Sequence, residues 1–151
     1  MKYTKEFNLE PKKAIDEIIR FSTIPGTSRH HWGTDIDIID GSYTAEGDLL
    51  IGENFKKNGI FFRVKKWLNE NSESFGFYIV YNDDKGRRGF EHEPWHFSYL
   101  PVSKKILRSF IKSDLKKVIR NNEIEGSDYF TNEFIEKYIK EHVLDINEIL
   151  K

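Results

Sequence analysis

Apolar positions recur at two spacings along the chain, and the switches between them mark its elements. Pro11 suits the first turn of a helix, and Ala14, Ile15, Ile18 and Ile19 follow at helical spacing. The Pro25-Gly26 pair breaks that helix. Past Gly33 the period becomes two. Asp35 and Asp37 share one face and Ile36 and Ile38 the other, which predicts a strand with outward carboxylates, ended by Asp40-Gly41. A second helix is predicted over residues 54–72, with Phe55, Ile60, Phe61, Val64, Trp67 and Leu68 inward and Gly59 as its weak point. Residues 76–81 are β-prone and run into a turn over residues 82–86. Residues 93–99 predict a short strand entered through Pro94, which implies an edge or a bulge there. Ser103 and Thr131 are placed to cap two further helices, with Ile106, Leu107 and Phe110 inward in one. Phe134, Ile135, Tyr138, Ile139 and Val143 face inward in the other. The expected fold is α+β, a small largely antiparallel sheet packed with helices, as a single domain over residues 1–151.

Composition narrows the function. Hydrophobic residues make up 38% and aromatics 15% of 151 residues, enough to bury a core despite 32% charged residues. The 24 Lys and Arg are interspersed among 25 Asp and Glu, so no field for a polyanion is built and nucleic acid is not expected as a partner. There is no cysteine, which excludes thiol nucleophiles and Cys-based zinc sites. A metal site would have to use histidine and carboxylate, a set that suits Zn²⁺. No apolar run approaches the ~20 residues of a membrane-spanning helix. The opening MKYTKEFNLE lacks the apolar core of a signal peptide. Localisation is left open on these grounds.

Four of the five histidines lie in two short segments, residues 28–37 and 91–96. A catalytic zinc needs three protein ligands and an open position, and a second carboxylate nearby to handle the proton of the attacking water. The two segments contain every part. His30 and Asp37 are seven apart and converge only if residues 28–33 form a loop. Glu93 and His96 are three apart and share a face only if the chain bulges at Pro94.

Ser28-x-His30-x-x-Gly33-x-x-x-Asp37, followed by Glu93-Pro94-Trp95-His96, resembles the signature of zinc D-alanyl-D-alanine carboxypeptidases and dipeptidases of the VanY and VanX type. Trp67-Leu68-Asn69-Glu70-Asn71 and Phe75-Gly76-Phe77 are similar to the helix and strand between that family's motifs. The resemblance covers residues 27–99. It implies a Hedgehog/D,D-peptidase fold, Zn²⁺ held by His30, Asp37 and His96, and Glu93 as catalytic acid/base. Ser28, Arg29 and Trp95 become candidate substrate contacts. A peptidoglycan-derived peptide is the implied substrate, the bacterial cell envelope the implied setting, and a monomer the expected state.

Two departures stand out. Asp35 occupies a position where the family usually has Ala, and is expected to be solvated or, failing that, to lie behind a ligand. The family's upstream Ser-x-Tyr-Arg-like segment, whose Arg holds the substrate, is not visible. Either an N-terminal portion is missing or the chain diverges, or another arginine serves. Arg20, Arg29, Arg87 and Arg88 are each expected at the surface. His31 is expected to pack beside the site, His92 to be a polar neighbour, and His142 to be solvated. The rival functions are an L,D-carboxypeptidase or endopeptidase with the same site, and a non-catalytic zinc-containing cell-wall binding module.

Overall fold

The computed structural model describes residues 8–43, 46–120 and 124–151. Helix α1 (Pro11–Ile19) begins at its proline and buries Ala14 and Ile15. A three-stranded antiparallel sheet follows, built from β1 (Asp35–Asp37), β2 (Phe77–Ile79) and β3 (His96–Tyr99) in the order β1-β3-β2. Helix α2 (Phe62–Asn71) connects β1 to β2. Helices α3 (Leu100–Phe110), α4 (Leu115–Ile119) and α5 (Asn132–Tyr138) complete the chain. α5 runs on as a π-helical turn, Ile139–Val143. The α+β class and the antiparallel sheet packed with helices are as expected. Among the described residues no helix is long and apolar enough to cross a membrane.

Local chemistry accounts for several differences in detail. The helix expected over residues 54–72 starts only at Phe62, because the chain first doubles back. Gly59 N–H donates to the Lys56 carbonyl at 2.7 Å and Phe61 N–H to the Asn54 carbonyl at 2.8 Å. A Cβ on Gly59 would lie 2.2 Å from the Asn54 oxygen, so the doubling-back requires glycine there. Phe55, Phe61 and Leu68 are buried as expected, whereas Trp67 is 52% exposed and stacks on Phe75. The segment at Pro94 is neither an edge nor a bulge. Glu93–His96 closes a turn, with His96 N–H donating to the Glu93 carbonyl, and the strand that follows is central. Ser103 does not cap α3, which starts three residues earlier with Pro101 in its first turn and buries Ser103. Helix α4, capped by Asp114, went unpredicted. Thr131 does cap α5, accepting from Phe134 N–H.

Two apolar clusters form the core among the described residues. Ile15, Ile24, Ile119, Phe130, Ile135, Tyr138 and Val143 join α1, α4 and α5. Val80, Tyr81, Phe90, Leu107, Ile146 and Leu150 fill the space between the end of β2, α3 and the C-terminal turn. His142, expected in solvent, is half-buried: it stacks on Tyr138 and meets Phe90 edge-on, and burial lowers its pKa. Tyr138 also reaches from α5 to the segment leading into the first motif. Its hydroxyl accepts from Ile24 N–H at 2.9 Å and donates to Thr27 Oγ1 at 2.9 Å, while Thr27 Oγ1 donates to the Ile24 carbonyl.

Tyr138→Phe leaves the buried Ile24 N–H without an acceptor. Such a loss costs about 1–3 kcal/mol, so the variant is expected to unfold at a lower urea concentration with an unchanged slope. A midpoint equal to the wild type's would show that the hydroxyl does not pin this segment.

Candidate metal centre

The first motif is shaped by a single 3₁₀ turn. Ser28 is extended, residues Arg29–Trp32 coil, and Gly33 ends the coil with φ 68°, a left-handed conformation that glycine adopts at no cost. The tight turn sends neighbouring side chains in opposite directions. Arg29 points into the protein, and His30 points out toward β1. The required loop is therefore present. No bulge forms at Pro94; the turn from Glu93 to His96 brings those two side chains together instead, and strand pairing adds Asp37, which stands directly opposite His96 in the β1–β3 register. Side chains directly opposite in an antiparallel pair have Cβ atoms about 4.5–5.5 Å apart.

His30, Asp37 and His96 each present a ligand atom, and these atoms lie within 4.8 Å of one another. His30 Nε2 is 3.6 Å from Asp37 Oδ1, and the two imidazoles stack with centroids 4.4 Å apart. His30 and Asp37 are open to solvent, whereas His96 is buried. His30 Nδ1 donates to the Asp35 carbonyl at 3.2 Å, which leaves Nε2 as the bare nitrogen facing the cluster. Two imidazoles and one carboxylate, partly open to a cleft, are the donor set of a catalytic divalent metal such as zinc, so the residues fit the group. Glu93 lies beside them, held by its N–H to the Tyr81 carbonyl at 3.0 Å, and its Oε2 accepts from His96 Nδ1 at 2.9 Å.

Asp35 is not solvated. It is 5% exposed, and Ile36 on the opposite face is 43% exposed, so Asp35 faces inward against expectation, while Asp37 on the same face stays open to solvent. Asp35 Oδ1 accepts from Arg29 Nε at 2.8 Å and contacts His96 Nε2 at 3.2 Å. Its Oδ2 accepts from Thr34 Oγ1 and Ser98 Oγ, both at 2.8 Å. Burial would raise the carboxyl pKa. The bonds from His96, Arg29 and Thr34 and the guanidinium charge outweigh it and hold Asp35 far below the usual carboxylate range. For His96 burial opposes the charged ring, but the bonds to Asp35 and Glu93 prevail and its pKa is raised in the metal-free protein. Tyr81, edge-on to His96, is pushed up by burial and by the charge of Glu93.

The cluster opens into a cleft of about 920 Å³ lined by Ser28, Glu93 and Trp95, with Arg20 and Lys56 as exposed cations on it and Lys65 half-buried. Trp95 packs on Phe55 and forms one wall. Another depression of about 850 Å³ lies against α1 and α5, and none of the three clustered residues lines it.

Arg29 borders the floor of the cleft without being open to it. At 3% exposed it is a buried residue, stacked on Trp32 and bonded to Asp35 and Ser98, which corrects the surface position expected of it. Arg87 is likewise committed, donating to the carbonyls of Asn82, Phe90 and Asp145. Arg88 and Arg20 are exposed, Arg20 beside Glu17. His31 is exposed and does not pack beside the site, while His92 Nδ1 donates to the Tyr81 carbonyl. Ser98 and Thr34 were not singled out from the sequence. The role of Ser98 follows from its pairing with Asp35, and that of Thr34 from the burial of the neighbouring Asp35 carboxylate.

The family model for VanY D-alanyl-D-alanine carboxypeptidase matches residues 2–102. An uncharacterized protein of Haemophilus influenzae is 31% identical over 80% of this chain and 93% of its own length. A D-alanyl-D-alanine carboxypeptidase of Enterococcus faecalis is 36% identical over 52% of this chain, and a putative carboxypeptidase, YodJ, of Bacillus subtilis is 29% identical over 85%. The chain spans only 25% and 39% of those two proteins. Among solved structures, VanYB in complex with D-alanine-D-alanine aligns at 25% identity and a TM-score of 0.48, covering 78% of this chain and 58% of its own. The L,D-carboxypeptidase LdcB aligns at 22% identity and 0.42, covering 76% and 55%.

Because the three ligand atoms come from segments some sixty residues apart, a bound ion ties β1 to β3. Zinc titrated into metal-free protein is expected to raise the melting temperature by mass action, and a chelator to reverse the gain. His30→Ala is expected to abolish the zinc-dependent shift. An equal shift in that variant would place the ion elsewhere.

Proposed function

This chain belongs to the VanY D-alanyl-D-alanine carboxypeptidase family, and we propose that it is a zinc-dependent peptidase domain cleaving the D-alanine-terminated stem peptides of peptidoglycan. The observation that carries the reading is the convergence of His30, Asp37 and His96 with the Glu93 carboxylate beside them. In this reading those three residues hold Zn²⁺, which supplies Lewis-acid chemistry by polarising the scissile carbonyl and acidifying water. Asp37 lowers the positive charge that two neutral imidazoles leave on a divalent ion.

Glu93 manages the proton. Its carboxylate is partly exposed at the cleft and takes the proton of the attacking water, then delivers it to the leaving amine. The turn through Pro94 and the bond to the Tyr81 carbonyl hold its backbone, so that only the side chain has freedom. Trp95 offers an apolar wall to the peptide, and Ser28 a hydroxyl at the rim. With Arg29 buried under the cluster, the cations facing the space that a substrate carboxylate would enter are Arg20, Lys56 and Lys65. The walls of the cleft distinguish a D,D- from an L,D-carboxypeptidase or endopeptidase, since the same metal and acid/base serve all three.

Glu93→Gln keeps the size of the side chain and removes its ability to accept the proton. Zinc content is expected to stay near one per chain, while hydrolysis of a D-alanyl-D-alanine-terminated peptide falls about 10²–10⁴-fold, or roughly 3–5 kcal/mol of barrier. Asp37→Asn is expected to lose zinc instead. Wild-type turnover in Glu93→Gln would remove Glu93 from the chemistry. A zinc-loaded wild type that cleaves no stem peptide would favour the non-catalytic binding module.

A further inference from the structure

We propose that the cleft of the clustered residues continues into the second depression, against α1 and α5, and that this depression is a subsite for an amine-bearing residue of the stem peptide on the N-terminal side of the scissile bond. The proposal rests on the reading of the chain as a peptidase of D-alanine-terminated peptides.

The two spaces adjoin. Arg20 and Glu91 line both the cleft of about 920 Å³ and the depression of about 850 Å³. Each alone has the size of a small-molecule site, about 300–1,000 Å³, so the pair has room for a longer peptide than a terminal dipeptide. At the junction Arg20 is neutralised by Glu17 at 3.1 Å, and its guanidinium lies over the Phe21 ring. Glu91 forms no ion pair among the described residues, and its charge is free to meet a cation.

The depression suits an ammonium group. Lys137 is held there by Glu141 at 3.8 Å, as Arg20 is by Glu17. Asp16, Glu91, Asp128 and Glu133 are left with only Lys12 and Arg88 to balance them. Tyr129, 47% exposed, and half-buried Phe134 add aromatic surface, which attracts cations. His142 lines the same space, and its Nδ1 is buried with no hydrogen-bond partner. Burial lowers the pKa of this ring, so it adds no competing positive charge. The cleft offers the opposite charge away from the depression. Lys56 is held by Glu53, but Lys65 has no ion pair among the described residues, and neither lysine lines the depression. A peptide whose carboxylate is drawn to Lys65 and whose amine is drawn to the depression enters the cleft in one direction only. Asp128, Tyr129, Glu133 and His142 lie outside residues 2–102, where the family model matches, so the subsite is built by this chain's own C-terminal part.

Two peptides test it, both ending in D-alanyl-D-alanine and identical except that the preceding lysine carries a free or an acetylated side-chain amine. The wild type is expected to cleave the free-amine peptide with a kcat/KM about tenfold higher, and the double variant Asp128→Asn/Glu133→Gln to cleave both equally. Asp16→Asn, on α1, is expected to reduce the preference as well. It carries the test should the changes near α5 disturb the fold, which the melting of each variant reports. Binding is read without turnover in Glu93→Gln, from amide ¹H–¹⁵N shifts. The free-amine peptide is expected to move residues 128–142 together with residues 91–96, and the acetylated peptide residues 91–96 alone. Equal, measurable cleavage of the two peptides by the wild type overturns the subsite, as do shifts absent from residues 128–142. Cleavage of neither peptide, with shifts at both surfaces, sinks the peptidase reading and leaves the subsite standing.

Discussion

The antiparallel register between β1 and β3 is the constraint on which the site depends. Two pairs carry it: Asp37 opposite His96, and Asp35 opposite Ser98. The first pair brings together two of the clustered side chains, and the second closes the polar network beneath them. Both strands are very short, so few ladder hydrogen bonds hold this register. A slip by one residue would turn every side chain of β1 to the other face. Asp35 would then leave Arg29, and Ile36 would be driven against the buried network. The cost of burying Asp35 without its donors thus acts against the wrong register.

That network is also where stability and function meet. Arg29 and Asp35 are both almost wholly buried, and burying two charges is favourable only when geometry and extra hydrogen bonds compensate for lost water. Here Thr34, Ser98 and His96 supply the extra bonds to the carboxylate, and Trp32 covers the guanidinium. Removing one partner of such a pair costs about 3–5 kcal/mol. The cluster is therefore built on a base that is expensive to alter. Its solvent side, with His30, Asp37 and Glu93, remains accessible.

The helices keep the two motifs in place from behind. Tyr138 ties α5 to Ile24 and Thr27, immediately before the 3₁₀ turn that aims His30. On the other side, Asn147 donates to the Ile79 carbonyl, and its N–H bonds the Val80 carbonyl, closing the C-terminal turn onto β2. Glu93 is fixed through Tyr81, the last buried residue of that strand segment. The chain beyond the paired motifs thus acts as the frame of the site.

The sequence by itself determined the class of fold and the identity of the clustered residues. Helical spacing from Ala14 to Ile19 and from Phe134 to Val143 is a one-dimensional pattern, and so is the spacing of His30, Asp37, Glu93 and His96. Glycines marked the turn at Gly33 and the weakness of the helix at Gly59. What tertiary structure alone decided is which face of β1 is inside. Period two says that Asp35 and Asp37 share a face, but hydropathy assigned that face to solvent. Charged side chains go inward only when partners wait for them, and those partners sit on the preceding turn and on a strand sixty residues away. The same reason hid the burial of Arg29, the parts played by Thr34 and Ser98, and the covered position of His142. Each is a polar group whose environment is set by long-range pairing, and no local pattern records it.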